Sequence, residues 1–164
     1  MMGRTHLAAG LVAGILVAEA VHGLTPVLAV GVSGVAALLP DIDHPNSMIS
    51  NALPLIGKVI SKVLPHRGPT HSILAVAALA LLAHWIVPRL ALSWILVGVC
   101  GYASHLVLDA ATEHGILPLW PLRWRLSLFG RLVHTGGIIE RWLVFPVLSA
   151  GFCLELLALA GVRL

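Results

Sequence analysis

Apolar residues run in five blocks: Leu7 to Val21, Pro26 to Leu39, Ile73 to Val87, Ala91 to about Ala111, and Trp142 to Gly161. Two short turns and two long polar stretches separate them. Crossing a bilayer takes about 20 helical residues, range about 17 to 25, so the last two blocks fit and the first two are short. Those two read as tilted pore-side helices or a shallow hairpin. The turn from His22 to Pro26 predicts an antiparallel helical pair with Pro26 at a helix start. In Leu55 to Leu64, apolar Leu55, Ile56, Val59, Ile60 and Val63 recur at helical spacing while Lys58, Ser61 and Lys62 take the other face, which predicts a short interfacial helix. In the second polar stretch Trp120, Trp124 and Phe129 alternate with Arg123, Arg125 and Arg131, a composition suited to headgroup level. Trp85, Trp94 and Trp142 stand at block ends as belt anchors. The expected fold is an all-α integral membrane bundle. It has about five transmembrane or membrane-embedded helices and an interfacial helix in the 45–65 loop, and forms a single domain over residues 1–164.

Composition agrees. Hydrophobic residues make up 59% and charged residues 10% of the chain, against roughly 25% charged in soluble domains, and the mean hydropathy is +0.98. The net charge of +3 is spread along apolar flanks with no basic stripe, so no nucleic acid is expected. With five spans, eight cations (Arg4, Lys58, Lys62, Arg67, Arg123, Arg125, Arg131 and Arg141) fall on the N-terminal side, and Arg89 and Arg163 on the other. The positive-inside rule then puts the N-terminus and both long loops in the cytoplasm and the C-terminus outside. Arg4, the first apolar block and Ala18-Glu19-Ala20 imitate a signal peptide. Gly10 and Gly14 weaken its core, however, and Glu19 sits awkwardly in the cleavage box, so the block reads as a retained helix. Cys100 and Cys153 lie inside apolar runs, with no disulfide framework or Cys-rich zinc module.

The polar residues change the picture most. His6 opens the first block. Asp41, Asp43 and His44 close the second in LPDIDHP. His66 and His71 precede the third in HRGPTHS, and His105 and Asp109 close the fourth in GYASHLVLDA. Four distant segments thus deliver imidazoles and carboxylates to one depth and one side. His105 and Asp109, four apart, share a helix face and can grip one ion, and Glu113 continues that face. Two carboxylates after Pro40 can serve different ions, and Gly68-Pro69 bends the chain between His66 and His71. An N and O ligand set without thiolate suits zinc, manganese or iron. Ionisable groups at a membrane are costly, which favours function for such a cluster. Glu140, beside Arg141, reads as a surface ion pair, and His134 as an extra ligand.

These motifs, with Thr5-His6 and the run Gly115 and Leu117 to Pro121, resemble the bacterial and archaeal membrane-bound metal-dependent hydrolases, a family with a damage-inducible inner-membrane member in enteric bacteria. The resemblance covers about residues 3 to 125. That family is similar, distantly, to zinc-dependent phospholipase C and the P1-type nucleases, which implies a helical fold and phosphoester hydrolysis. His105 and Asp109 match the His-x-x-x-Asp ligand pair. The secreted relatives ligate metal through a free amino end, and here His6 would substitute. No clear later His-x-x-x-Glu pair is present for a third metal.

The expected activity is a hydrolase of phosphoesters in a membrane lipid or lipid-linked substrate, working at the cytoplasmic face of a bacterial or archaeal inner membrane. A mono- or dinuclear divalent centre, zinc first and manganese or iron next, would be held by His6, Asp41, Asp43, His66, His71, His105 and Asp109. Asp41 or Asp43 would act as general base and Arg67 as phosphate contact. Thr70, His44, Glu113 and His134 are further candidates around the site. The rival readings are a membrane transporter or metal-handling protein, and a zinc-stabilised scaffold without catalysis.

Overall fold

The structure is a computed structural model that describes residues 1–87 and 91–162. Arg89 and Arg163, the two outer cations of the topology count, lie outside those residues, as does the side chain of Arg131. Each apolar block becomes helix: α1 Gly3–Ala20, α2 Pro26–Ala36, α5 Ile73–Ile86, α6 Leu92–Ala110 and α7 Phe145–Leu159. Between α2 and α5 lie two short helices, α3 Met48–Ala52 and α4 Pro54–Val63. Among the described residues there is no strand, only an isolated bridge between Ile116 and Leu126. Among the described residues, three segments are long and apolar enough to cross a membrane: Pro26–Asp43, Leu92–Ala110 and Glu140–Leu159.

Small residues decide how the bundle closes. With no hydrophobic drive between helices in lipid, association rests on close backbone approach at glycine, alanine and serine. A Cβ on Gly14 of α1 would stand 2.7 Å from Val30 Cα, and one on Gly101 of α6 would stand 2.3 Å from the Ser33 carbonyl oxygen. The backbones of α1, α2 and α6 therefore meet around Ser33. Val17, Leu24, Ala29 and Val97 form the core at one end of this trio. Trp94, expected as a belt anchor, packs against that core. Helices α5 and α7 bury no residue fully and lie outside the trio.

The far end of the trio carries the polar residues. Helix α2 stops at Ala36 and the chain continues as a 3-10 turn, Leu39–Asp43, because Pro40 supplies no N–H and disfavours helix in the residue before it. Asp41 and Asp43 ride on that turn. A second 3-10 turn, Pro69–His71, precedes α5. There the Ser72 hydroxyl caps the helix by accepting the Ala75 N–H at 3.2 Å. Helix α4 leaves its apolar face bare: Leu55, Val59 and Val63 are exposed, as an interfacial helix requires.

Candidate metal centre

His105 and Asp109 lie one turn apart on the last turns of α6, both buried. The His105 Nδ1 bonds the Ala37 carbonyl at 2.7 Å. A carbonyl only accepts, so Nδ1 carries the proton and Nε2 presents its lone pair. Facing it at 3.2 Å is the Nε2 of His71. Around this pair, Asp41 Oδ1 lies 3.8 Å from His71 and 3.7 Å from His105. Asp109 Oδ2 lies 3.5 and 3.8 Å from the same nitrogens. Tetrahedral ligands at about 2.0–2.1 Å from an ion stand about 3.3–3.4 Å apart. The two histidines with either carboxylate therefore sit within about half an ångström of ion-binding spacing.

His6, on the first turn of α1, is fully buried and stacks on His105 with ring centroids 3.5 Å apart and planes 12° apart. Its Nε2 is 3.3 Å from the other Asp109 oxygen, Oδ1, but off the axis for a hydrogen bond. Neither ring nitrogen has a partner among the described residues. A buried donor or acceptor left unmade costs about 1–3 kcal/mol, and an ion beside His6 and Asp109 would remove that cost. The donors thus form two overlapping groups, Asp41, His71 and His105, and His6, His105 and Asp109. Because His105 has one free nitrogen, it can serve only one ion, whereas Asp109 can offer one oxygen to each of two once the Met1 amino group, which bonds Oδ1, gives way.

A second layer fixes these ligands. The His71 Nδ1 lies 3.0 Å from the Thr70 hydroxyl, which donates to Asp43 Oδ2. That relay aims the His71 Nε2 at the centre, as second-layer carboxylates do for metal-bound histidines. Burial works against charge on the His71 ring, but its contacts with Asp41, Asp43 and Asp109 outweigh it and push its pKa up to about 9. Asp43 is saturated by protein donors. It accepts from His66 Nδ1 at 2.7 Å, the Arg67 N–H at 3.1 Å and Thr70. Asp43 and His66, read from sequence as ligands, are thus engaged with each other outside both donor groups. His44 lies farther out, edge-on to His66 at 4.9 Å.

Arg67 takes a left-handed backbone, φ 60°, rare and strained for a residue with a side chain. The turn earns its keep by delivering two contacts from one residue, the N–H on Asp43 and the guanidinium 3.4 Å from Asp109 Oδ2.

Glu113 does not continue the His105–Asp109 face. Helix α6 ends at Ala110, and the Thr112 hydroxyl bonds back to the Asp109 carbonyl at 2.8 Å, which turns Glu113 away. It pairs instead with His134 at 2.7 Å, and that ring holds the Glu113 carboxyl below its usual value. His134 is likewise outside both donor groups.

Glu140 overturns the surface-pair expectation. It is fully buried and accepts the Met2 N–H at 2.5 Å and the Gly136 N–H at 2.6 Å, at the start of a π-helical turn, Glu140–Val144. It ties the segment before His6 to the last loop, while the Met1 amino group bonds Asp109. Glu140's place just ahead of an apolar run was the one available sequence signal.

The family profile described as YdjM inner membrane protein matches residues 1–162. The chain belongs to the YdjM family. It is 40% identical to the inner membrane protein YdjM of Escherichia coli K12 over 133 residues, which is 73% of this chain and 66% of that protein. The chain therefore spans just under two thirds of that relative's length. It is 37% identical to the Bacillus subtilis protein YvsG over 155 residues, 93% of this chain and 92% of YvsG. No solved structure gives a significant match. YdjM membership and the three apolar segments together make this chain a membrane protein of the inner-membrane type.

Proposed function

We propose that this chain is a membrane-embedded metal-dependent hydrolase of phosphoester bonds. The observation that carries the reading is the pair of buried imidazoles aiming Nε2 at Nε2 across 3.2 Å, with Asp41 and Asp109 oxygens beside both. The candidate ligands are His71, His105, Asp41 and Asp109, with His6 on the second Asp109 oxygen. Nitrogen and oxygen donors suit zinc first, then manganese or iron. A bound divalent ion supplies Lewis-acid charge against phosphoryl oxygens and acidifies water.

The chain's own groups do the rest. Thr70 and Asp43 hold the His71 ring, and the Ala37 carbonyl holds that of His105. Asp41, with its side chain 16% exposed, has more solvent access than the other donors, so it is the better placed proton acceptor of the two acids on its turn. The Arg67 guanidinium, 19% exposed, offers paired N–H groups to a phosphate oxygen at the rim. The cation count supports a cytoplasmic site and an outer C-terminus.

Near-complete burial of His6, His71, His105 and Asp109 favours a second reading, a zinc-stabilised scaffold, because structural sites are closed and catalytic ones keep a position open. A transport site is disfavoured, since the donors gather at helix ends and transport sites sit near the midplane.

Elemental analysis of the purified protein, paired with phosphodiester and phosphomonoester assays, separates these. Stoichiometric metal and turnover, both lost in His71→Ala and His105→Ala, support the hydrolase. Metal without turnover supports the scaffold. Metal-free protein that behaves like both variants overturns every metal reading.

A further inference from the structure

A groove of about 640 Å³ runs between α2, α5 and α6 and reaches Leu39 and Tyr102, neighbours in sequence of the candidate ligands, none of which lines it. Its walls are apolar along their length, and Val27, Leu28, Val32 and Val35 stand exposed at its rim, on a segment long enough to cross a membrane. Two glycines line it, the exposed Gly31 of α2 and the half-buried Gly98 of α6. Glycine inside a helix is unfavourable, and Gly14 and Gly101 are explained by backbones in contact. Gly31 and Gly98 are not, because a Cβ on either would meet nothing within 4 Å. They keep space open.

The inner end of the groove is tied to the site. Leu39 opens the turn that carries Asp41, and Tyr102 lies one turn before His105. The Tyr102 hydroxyl bonds the Thr70 carbonyl at 2.5 Å. Leu39, Leu79 and Tyr102 also border a second hollow of about 520 Å³ that reaches Thr70, whose hydroxyl holds Asp43.

We infer that this groove seats the acyl chain of a lipid, with the lipid's head group presented to the His/Asp centre. Apart from Trp94 and Tyr102, whose hydroxyl is already committed to Thr70, every lining side chain is apolar or absent, which suits neither a sugar, a nucleotide nor an extended peptide. A helix of a second copy, about 10 Å across, would fit only about five residues into that volume, whereas an acyl chain is a flexible thread. Lipid as the substrate class rests on the hydrolase reading; the groove itself does not.

The test uses the full chain in vesicles of phosphatidylethanolamine and phosphatidylglycerol, doped with a phosphatidylglycerol bearing a diazirine in its acyl chain. Adducts formed on irradiation are mapped by mass spectrometry. Label should concentrate on the groove walls over the exposed Val147 and Leu154 of α7. In Gly31→Leu/Gly98→Leu it should fall about tenfold in the groove, with α7 labelling and metal content unchanged. Gly31→Ala/Gly98→Ala should give a smaller fall in the same direction. Equal labelling of groove and α7 in the wild type overturns the proposal without any variant. So does undiminished groove label in a Leu variant that retains metal, or adducts between two copies at the groove. His105→Ala should lose metal and keep the groove label. Groove-specific label on a protein without turnover overturns the hydrolase reading alone.

Discussion

His105 shows how one buried hydrogen bond sets the chemistry of a residue. With Nδ1 committed to Ala37, its Nε2 is available for a single ion, so His105→Gln should lower metal affinity even if the fold is kept. His71 sets the pH dependence. Its raised pKa, about 9, means the metal-free protein holds this proton through neutrality and releases it only as pH climbs towards that value. An incoming ion must displace the proton, so affinity should rise about tenfold per pH unit between about pH 6 and 8. Competition against a fluorescent chelator would read this, and a flat profile would refute it. The same proton stabilises the metal-free fold below the ring's ordinary 6.5, and that contribution fades as pH rises to about 9. Arg67 offers a sharper dissection. Arg67→Gly keeps the left-handed turn and removes about 1 kcal/mol or more of strain, so thermal stability should hold while turnover falls. Arg67→Ala should lose both.

At the scale of elements, the site exists because three helices approach closely enough for their ends to converge. A methyl at Gly101 meets the Ser33 backbone oxygen at 2.3 Å, and backbone cannot step aside as a flexible side chain can. Gly101→Ala should therefore destabilise the bundle by about 1–3 kcal/mol and weaken metal binding too, as it separates α2 and α6. Its thermal midpoint in detergent, with and without added zinc, measures both. Glu140 performs the same service for α1. It receives two part-buried N–H groups, and Glu140→Gln can keep only one acceptor oxygen and turns an amide towards the other donor. A loss of about 1–3 kcal/mol is expected, with faster proteolysis near Met2 as the local signature.

For the whole molecule, the expectation is a bundle with its chemistry at one membrane face. A reporter fused at the C-terminus should read outside the cytoplasm; a cytoplasmic signal would remove the five-span arrangement and with it the assignment of the site to the inner face. The bare apolar face of α4, near the turn that carries Asp41, gives the same face a means of lying on the headgroup layer.

The sequence alone determined the element types and the chemical inventory. Apolar blocks of near-spanning length can satisfy their backbones in a bilayer only as helices, and histidines and acids massed at one set of block ends mark the polar end of the bundle. Periodicity also placed the α4 helix, because a surface helix shows its two faces in a local pattern. What it could not supply was which polar side chain meets which. Asp43, His66 and Thr70 share motifs with Asp41 and His71, yet a bend of a few residues sends them to a supporting layer. Glu113 lost its helical register because α6 stops first, and Glu140 is buried by partners over a hundred residues away or across a turn. Those assignments depend on where three backbones touch at glycine. Such contacts are made between distant segments, and no local spacing encodes them.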